Sequence, residues 1–404
     1  MKAKNRNKYQ YRLKIGKNLG FFKGEEVSIS LIVLSGGNST RFKYPVKKQW
    51  LRVGNKPLWL FVAEELNSLY QFKRVVVVAS PDEVNLYRYL SPFPVVAGGR
   101  ERQESLKNGL AVVETDWVMV TDVARPQIDH RVVEELITVA QNGNYDTIAP
   151  YLPAVDTVVY QNRTIDRREV KLIQTPQLSR TEILKKAVSR ATLFTDDRGA
   201  VEGIGGRVGY ILGSPKLRKL TYFSDLAYCQ LPPPVEHCFT GIGYDSHRFV
   251  SGNSLKLGGV SFSAPFKFQA HSDGDVVVHG VIDALLGATT GGDIGELFPD
   301  TDPIYAGINS LQLLEQVVKL ITKIGFEPIH IDLTYIGELP KLKKRKWEIV
   351  QTLSTYLNCS VNVKGTTNEK MGFIGRKEGA GVVAVATVKY KNWYRDLQKG
   401  LVCE

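Results

Sequence analysis

Apolar residues in the first part of the chain fall into short continuous runs separated by stretches with a period near 3.6. Ile29–Leu34 (ISLIVL) is apolar except for Ser30 and predicts a strand buried on both faces, as in a parallel sheet. Arg74–Ala79 and residues 117–121, 146–150 and 207–212 predict further strands, and helical spacing predicts helices over 58–70, 102–113 and 131–141. Strand and helix alternating in this way indicate a three-layer α/β domain with a mainly parallel sheet, whose ligands lie beyond the carboxyl ends of the strands. Leu231-Pro232-Pro233-Pro234-Val235 breaks the pattern, because three prolines cannot donate to a ladder; it is the expected linker. A second, smaller α/β unit follows from Phe239, with helices expected over 275–288, 310–324 and 341–357 and strands over 329–336, 361–366 and 382–388. The expected division is an arm at 1–28, a first domain at 29–231, a linker at 232–238, a second domain at 239–390 and a tail at 391–404.

Length agrees with two domains, since 404 residues exceed what one core usually holds. Hydrophobic and charged fractions of 43% and 23% are those of a globular protein. The net charge of +12 is unevenly spread: residues 1–28 hold eight Lys or Arg against Glu25 and Glu26, half of the total. The body is only mildly basic, which suits anionic phosphate substrates as well as it suits RNA. A nucleic-acid partner is not expected, because aromatics interleave with bases only at Tyr9 and Tyr11 of the arm. The apolar runs are far shorter than the ~20 residues of a membrane span, and the arm has neither a secretory apolar region nor a serine in its first 27 residues. Cys229, Cys238, Cys359 and Cys403 form no C-x-x-C pair, so a cytoplasmic protein without a disulfide framework is expected.

The first strand opens into Ser35-Gly36-Gly37-Asn38-Ser39-Thr40-Arg41, which is neither a Walker A loop nor G-x-G-x-x-G. Its backbone amides can still wrap a triphosphate, with Arg41 and Lys47 or Lys48 neutralising charge. Ala97-Gly98-Gly99-Arg100-Glu101-Arg102-Gln103-Glu104-Ser105 puts a glycine turn ahead of a helix, and VMVTDVARP ends an apolar strand on Asp122, well placed to hold Mg²⁺ against a nucleotide. GGNSTRF, KKQW, AGGRERQES, VTDVARP, AVDT, IDRREVKLIQTPQ and RKLTYFSDL, in this order, resemble the 2-C-methyl-D-erythritol 4-phosphate cytidylyltransferases. That resemblance implies a Rossmann-like nucleotidyltransferase that binds CTP and lets methylerythritol phosphate attack the α-phosphate in line. By the same resemblance Arg41, Lys48 and Lys219 are catalytic bases, Asp122 is the magnesium ligand, and Gly36, Gly37, Gly98, Gly99 and Ser105 bind the nucleotide. Thr157 and Arg167 are implied to hold the methylerythritol phosphate. The family's loop usually carries a second glycine where this chain has Ser39.

The stretch AHSDGDVVVHGVIDALLGATTGGDIGELFPDTDP, residues 270–303, sets two His and seven Asp or Glu around one apolar helix pattern. Such density is costly in a core unless a cation or polar ligand meets it. Upstream, Asp245 and His247 are two apart and share a side if extended; with His279 they would make a three-ligand zinc site with one open position. Asp283, one helical turn beyond His279, is the expected carboxylate orienting the imidazole. With GYDSHRF, DALLGA, IGELPK and VKGTTNEKMGFIGR, the second half resembles 2-C-methyl-D-erythritol 2,4-cyclodiphosphate synthase along 239–390. That resemblance implies that a substrate 2-phosphate attacks the β-phosphate of its own cytidine diphosphate, expelling CMP. It implies zinc on Asp245, His247 and His279, and a second divalent ion, Mg²⁺ or Mn²⁺, on Glu369. His271, Ser272, Asp293, Gly295, Asp300, Phe373 and Arg376 are implied to meet the substrate, with Asp245 and His247, while Lys341, Thr366 and Thr367 hold cytidine and phosphate; His271 and Thr367 are also implied in catalysis.

Together the resemblances imply a bifunctional bacterial enzyme of isoprenoid precursor synthesis, acting on CTP and methylerythritol phosphates, and a homotrimer or dimer of trimers through the cyclase half. The two reactions are separated by a kinase step, so channelling between the sites is not implied. A nucleotidyltransferase of another alcohol phosphate fused to a zinc phosphodiesterase is the alternative, and AVDT with IDR favours the methylerythritol reading.

Overall fold

In the computed structural model, which describes residues 27–289 and 292–400, the run Ile29–Leu34 forms β1 with every residue buried. The basic arm apart from Val27 and Ser28, and Cys403, lie outside the described residues. β1 pairs in parallel with β2 (Arg74–Ala79) on one side, and β2 in turn with β3 (Val95–Ala97). On its other side lies β4 (Trp117–Asp122), also parallel. β5 (Thr147–Pro153), β6 (Lys171–Ile173), β7 (Gln177–Arg180) and β8 (Val208–Leu212) complete an eight-stranded sheet. Alternate residues of β1 feed two layers. Leu31 and Val33 pack with α1 (Leu58–Leu69), while Ile32 and Leu34 pack with α2 (Arg102–Leu110). Each large apolar side chain so buried contributes about 1.5–3 kcal/mol.

β7 escapes hydrophobic-pattern reading because two of its four residues, Gln177 and Ser179, are polar and buried. The Ser179 hydroxyl is 2.7 Å from that of Thr147 on β5, so the polar position is satisfied inside the sheet. β7 runs antiparallel to both β4 and β5, and makes the sheet mixed at this point.

The second unit is built on β9 (Cys238–Ser251), β10 (Phe266–Phe268), β11 (Phe326–Ile336), β12 (Ser360–Thr366) and β13 (Gly379–Tyr390), in the order β10-β9-β13-β11-β12. Helix α3 (Val276–Thr289) lies directly on β9. Two glycines permit this: a Cβ at Gly243 would fall 2.0 Å from the Gly280 carbonyl oxygen, and one at Gly241 would fall 2.2 Å from that of Ala284. α4 (Ser310–Lys323) packs beside α3. The expected helix over 341–357 is divided into a 3-10 turn, Leu342–Lys344, and α5 (Lys346–Leu357). Lys341, Lys343, Lys344, Arg345 and Lys346 oppose the positive end of a helix dipole, which disfavours one helix through this run.

The proline stretch, the expected linker, is docked on the first unit. Gly54 donates its amide to the Pro233 carbonyl (3.2 Å), and Val235 donates to Gly54 (3.0 Å). The tail contains a further helix, α6 (Trp393–Gln398), whose Trp393 indole donates to the Arg52 carbonyl (2.7 Å). Residues of both halves therefore share one apolar core. Among the described residues no helix is long and apolar enough to cross a membrane.

Candidate active sites

Beyond the carboxyl ends of β1 and β4 lies a cavity of about 320 Å³, walled by Gly36 to Arg41, Lys48, Gly99, Arg102, Ser105, Asp122 and Lys219. Ser39 stands where the resembled family's loop usually has a second glycine. This residue adopts φ 56°, in the left-handed region, and its hydroxyl donates to the Gln49 side-chain oxygen (3.0 Å) and accepts the Lys48 amide (3.2 Å). Gln49 in turn donates to the Gly37 carbonyl (2.9 Å), so a side-chain clasp holds the loop. At the facing turn, Ser105 accepts the Gly99 amide (3.1 Å), and a Cβ at Gly98 would lie only 2.7 Å from the same hydroxyl oxygen.

Lys48 enters from a 3-10 turn and donates to the Leu220 carbonyl (2.9 Å). Burial, with Lys219 and Arg41 nearby, lowers its ammonium pKa to about 8. Asp122 stands opposite, accepting Lys219 (2.8 Å) on one oxygen and Arg102 (3.2 Å) on the other. Burial alone would raise its carboxyl, but the two bases outweigh that and hold it well below the usual carboxylate range. Arg102 is shared with the fully buried Asp197 (2.7 Å). Sequence reasoning missed Arg102 and Asp197 as site residues; Arg102 lies inside the quoted AGGRERQES segment, while Asp197 has no local signal.

Thr157 and Arg167 are not among the walls of this cavity. They are exposed and flank the ribbon Val158–Tyr160 and Arg163–Ile165, where Arg167 donates to the Val155 carbonyl (2.6 Å).

The second site forms where α3 crosses β9. Asp245 and His247 project from β9 and His279 from α3. The Asp245 carboxylate lies 3.0 Å from His247 Nε2 and 3.1 Å from His279 Nδ1, and the two imidazole nitrogens are 3.2 Å apart. Three donors facing one point, with His279 buried, form the group of metal-ligating side chains found among the described residues. One carboxylate and two imidazoles with a cavity alongside match a metal centre that leaves a position for substrate. Burial would raise the Asp245 carboxyl, but the hydrogen bonds and charge of the two imidazoles prevail and depress it.

The expected support from Asp283 is not there. Its carboxylate accepts the Ile294 amide (2.9 Å), and burial raises its pKa. His279 Nε2 instead faces the hydroxyls of Ser272 and Ser310, each at 3.0 Å. Ser310 donates to Asp273 (2.5 Å), which also pairs with Lys256 (3.0 Å). One turn along α3 from His279, Asp283 faces the loop that begins the next helix. Ser310 carries no sequence signal, since it arrives from α4, 31 positions away.

A cavity of about 390 Å³ beside these ligands is lined by His271, Ser272, Gly295 and Asp300. Asp293 caps the short helix Ile294–Leu297, accepting the Glu296 amide (2.9 Å). Lys341, Thr366 and Thr367 line a separate cavity of about 480 Å³. Glu369 is exposed and accepts the Thr367 hydroxyl (2.6 Å), Phe373 is exposed, and Arg376 pairs with Glu378 (2.7 Å). Strand register puts Thr366 level with Ile336, Gly381 and Ser246. Three strand spacings, about 14 Å, thus separate the two groups within one chain.

Comparison with known proteins bears on both halves. The family profile described as 2-C-methyl-D-erythritol 4-phosphate cytidylyltransferase matches residues 29–231, and that described as YgbB family matches 238–389. The chain is 46% identical over 372 residues to the bifunctional enzyme IspD/IspF of Aliarcobacter butzleri, covering 91% of this chain and 99% of the relative. It is 45% identical to the protein of the same name from Campylobacter curvus, with the same coverage. The structure of the bifunctional IspDF from Campylobacter jejuni is similar with a TM-score of 0.81 at 42% identity, covering 91% of this chain and all of that one.

Proposed function

The chain belongs to the bifunctional IspD/IspF enzymes, and on that premise we propose how its residues divide the two reactions. The enzyme transfers CMP from CTP to 2-C-methyl-D-erythritol 4-phosphate, and it cyclises the cytidine diphosphate-linked 2-phosphate to 2-C-methyl-D-erythritol 2,4-cyclodiphosphate. In the first site the glycine loops hold CTP, and Arg41 and Lys48 meet the charge that builds on the α-phosphate. Phosphoryl chemistry of this kind needs fixed positive charge rather than a covalent partner. Lys219 exchanges Asp122 for a phosphate when CTP enters. Asp122 would then be the residue that holds Mg²⁺, which would neutralise charge on the phosphates. Arg102, anchored by Asp197, keeps that carboxylate in place.

Thr157 and Arg167 hold the methylerythritol phosphate in this reading. Because they stand on an exposed ribbon with uncovered Val155, Val159 and Tyr160, they reach a nucleotide across a contact between copies of the chain.

In the second site Asp245, His247 and His279 hold zinc, which when bound supplies Lewis-acid polarisation of the β-phosphate. Ser272 and Ser310 fix the His279 ring, and His271, Asp293, Gly295 and Asp300 orient the methylerythritol diphosphate. Lys341, Thr366, Thr367, Phe373 and Arg376 hold the cytidine diphosphate, with Glu369 taking the second divalent ion. Their separation from Asp245 within one chain favours a trimer that shares each site between neighbours. Free Cys229, Cys238 and Cys359 and bacterial relatives favour the cytoplasm.

The convergence of Asp245, His247 and His279 carries the assignment of the cyclase site. Elemental analysis of His247→Ala tests it. Lost zinc together with lost cyclase turnover is expected, and full retention of both would remove the zinc assignment.

A further inference from the structure

The segment that carries Lys48 is contacted by residues outside the nucleotidyltransferase half. This segment, residues 47–52, lies against the second unit. The Lys47 amide donates to the Lys323 carbonyl at the end of α4 (3.1 Å). The Arg52 side chain, 4% exposed, reaches the next carbonyl, Ile324 (3.4 Å), and its guanidinium sits 4.9 Å and 4.5 Å from the Phe326 and Tyr390 ring centres. Burying a cation costs several kcal/mol unless such partners repay it.

The acceptor of the Lys48 ammonium is held from the other side. Leu220 precedes Phe223, whose ring stacks on Tyr44 at 4.4 Å. The Tyr44 hydroxyl donates to Asp396 of α6 (2.6 Å), and Trp393 of the same helix donates to the Arg52 carbonyl. This helix lies beyond both matched family ranges, which end at residues 231 and 389.

We propose that the second half and its terminal helix are a working part of the cytidylyltransferase site: α4 grips the segment that carries Lys48, and α6 grips the segment that receives its ammonium. Arg52, Tyr44 and Asp396 are positioning residues. The inference rests on Lys48 serving the CTP site. Errors of about 1 Å in such a group cost rate far more than affinity.

The test uses full-length Tyr44→Phe, Asp396→Asn and Arg52→Met enzymes, each assayed for both activities. Cytidylyltransferase kcat should fall about fivefold or more while the KM for CTP stays within about twofold and cyclase turnover is unchanged. The alkaline limb of the kcat/KM profile should move to higher pH, because a loosened Lys48 gains water. A purely stabilising contact would not move that limb. Unchanged kcat and pH profile in Tyr44→Phe and Asp396→Asn would overturn the proposal, and so would both activities falling in parallel with the melting temperature. These two variants decide the matter if Arg52→Met does not fold. Lys48→Ala that keeps full transfer would instead overturn the reading on which the proposal rests.

Discussion

Lys48 is the base proposed to meet the α-phosphate, and its buried place in the first cavity makes a pH prediction. Burial and neighbouring bases put its pKa near 8, and only the charged form can meet an α-phosphate. The kcat/KM for CTP is therefore expected to be high below that value and to fall as pH rises through it, a limb absent from the cyclase reaction. A flat profile to pH 10 would contradict the assignment. Ser39 gives a second case. Its left-handed backbone would be easier for glycine, but its hydroxyl ties Gln49 and the Lys48 amide together. Ser39→Ala keeps the strain and loses the bonds, so it should cost about 1–2 kcal/mol in denaturant titration, with reduced transfer; Ser39→Gly should be the milder change in stability. At this scale the sequence was most informative where a family motif stood. Asp245, His247 and His279, the expected zinc group, were legible as a set and lie together in the structure. The partners of His279 were not, because Ser310 reaches it from another helix and Asp283, at the right helical spacing, faces a different loop.

Among the elements, α3 on β9 is the joint that brings Asp245, His247 and His279 together. Gly243 has no room for a side chain against the Gly280 carbonyl. Gly243→Ala must push α3 outward, at a cost of about 1–3 kcal/mol, and carry His279 away from Asp245. Zinc content and cyclase turnover should drop together while the transferase persists; normal zinc content would show that the close approach is not what seats His279. Strand-helix alternation made most of this architecture legible. The exceptions have physical causes: β7 hides its burial behind a Ser179–Thr147 hydrogen bond, and a run of five cations divides the expected helix after Lys341.

For the whole molecule, the proline stretch is the expected linker between two units, and Arg52, Phe326, Tyr390 and Trp393, from both sides of it, form a shared interior. Nothing local announces this, since Arg52 and Trp393 are 341 positions apart. Calorimetry is expected to give one dominant unfolding transition for the intact chain, and two well-separated transitions would show the interface to be weak. One chain is proposed to run its two chemistries on separate sets of residues. The most direct measurement is phosphorus NMR of products from wild type, Lys48→Ala and His247→Ala, each supplied with CTP, Mg²⁺, methylerythritol 4-phosphate and the cytidine diphosphate-linked 2-phosphate. Lys48→Ala is expected to lose only the pyrophosphate signal and His247→Ala only the cyclic diphosphate. Loss of both signals in either variant, or of neither in both, would contradict it.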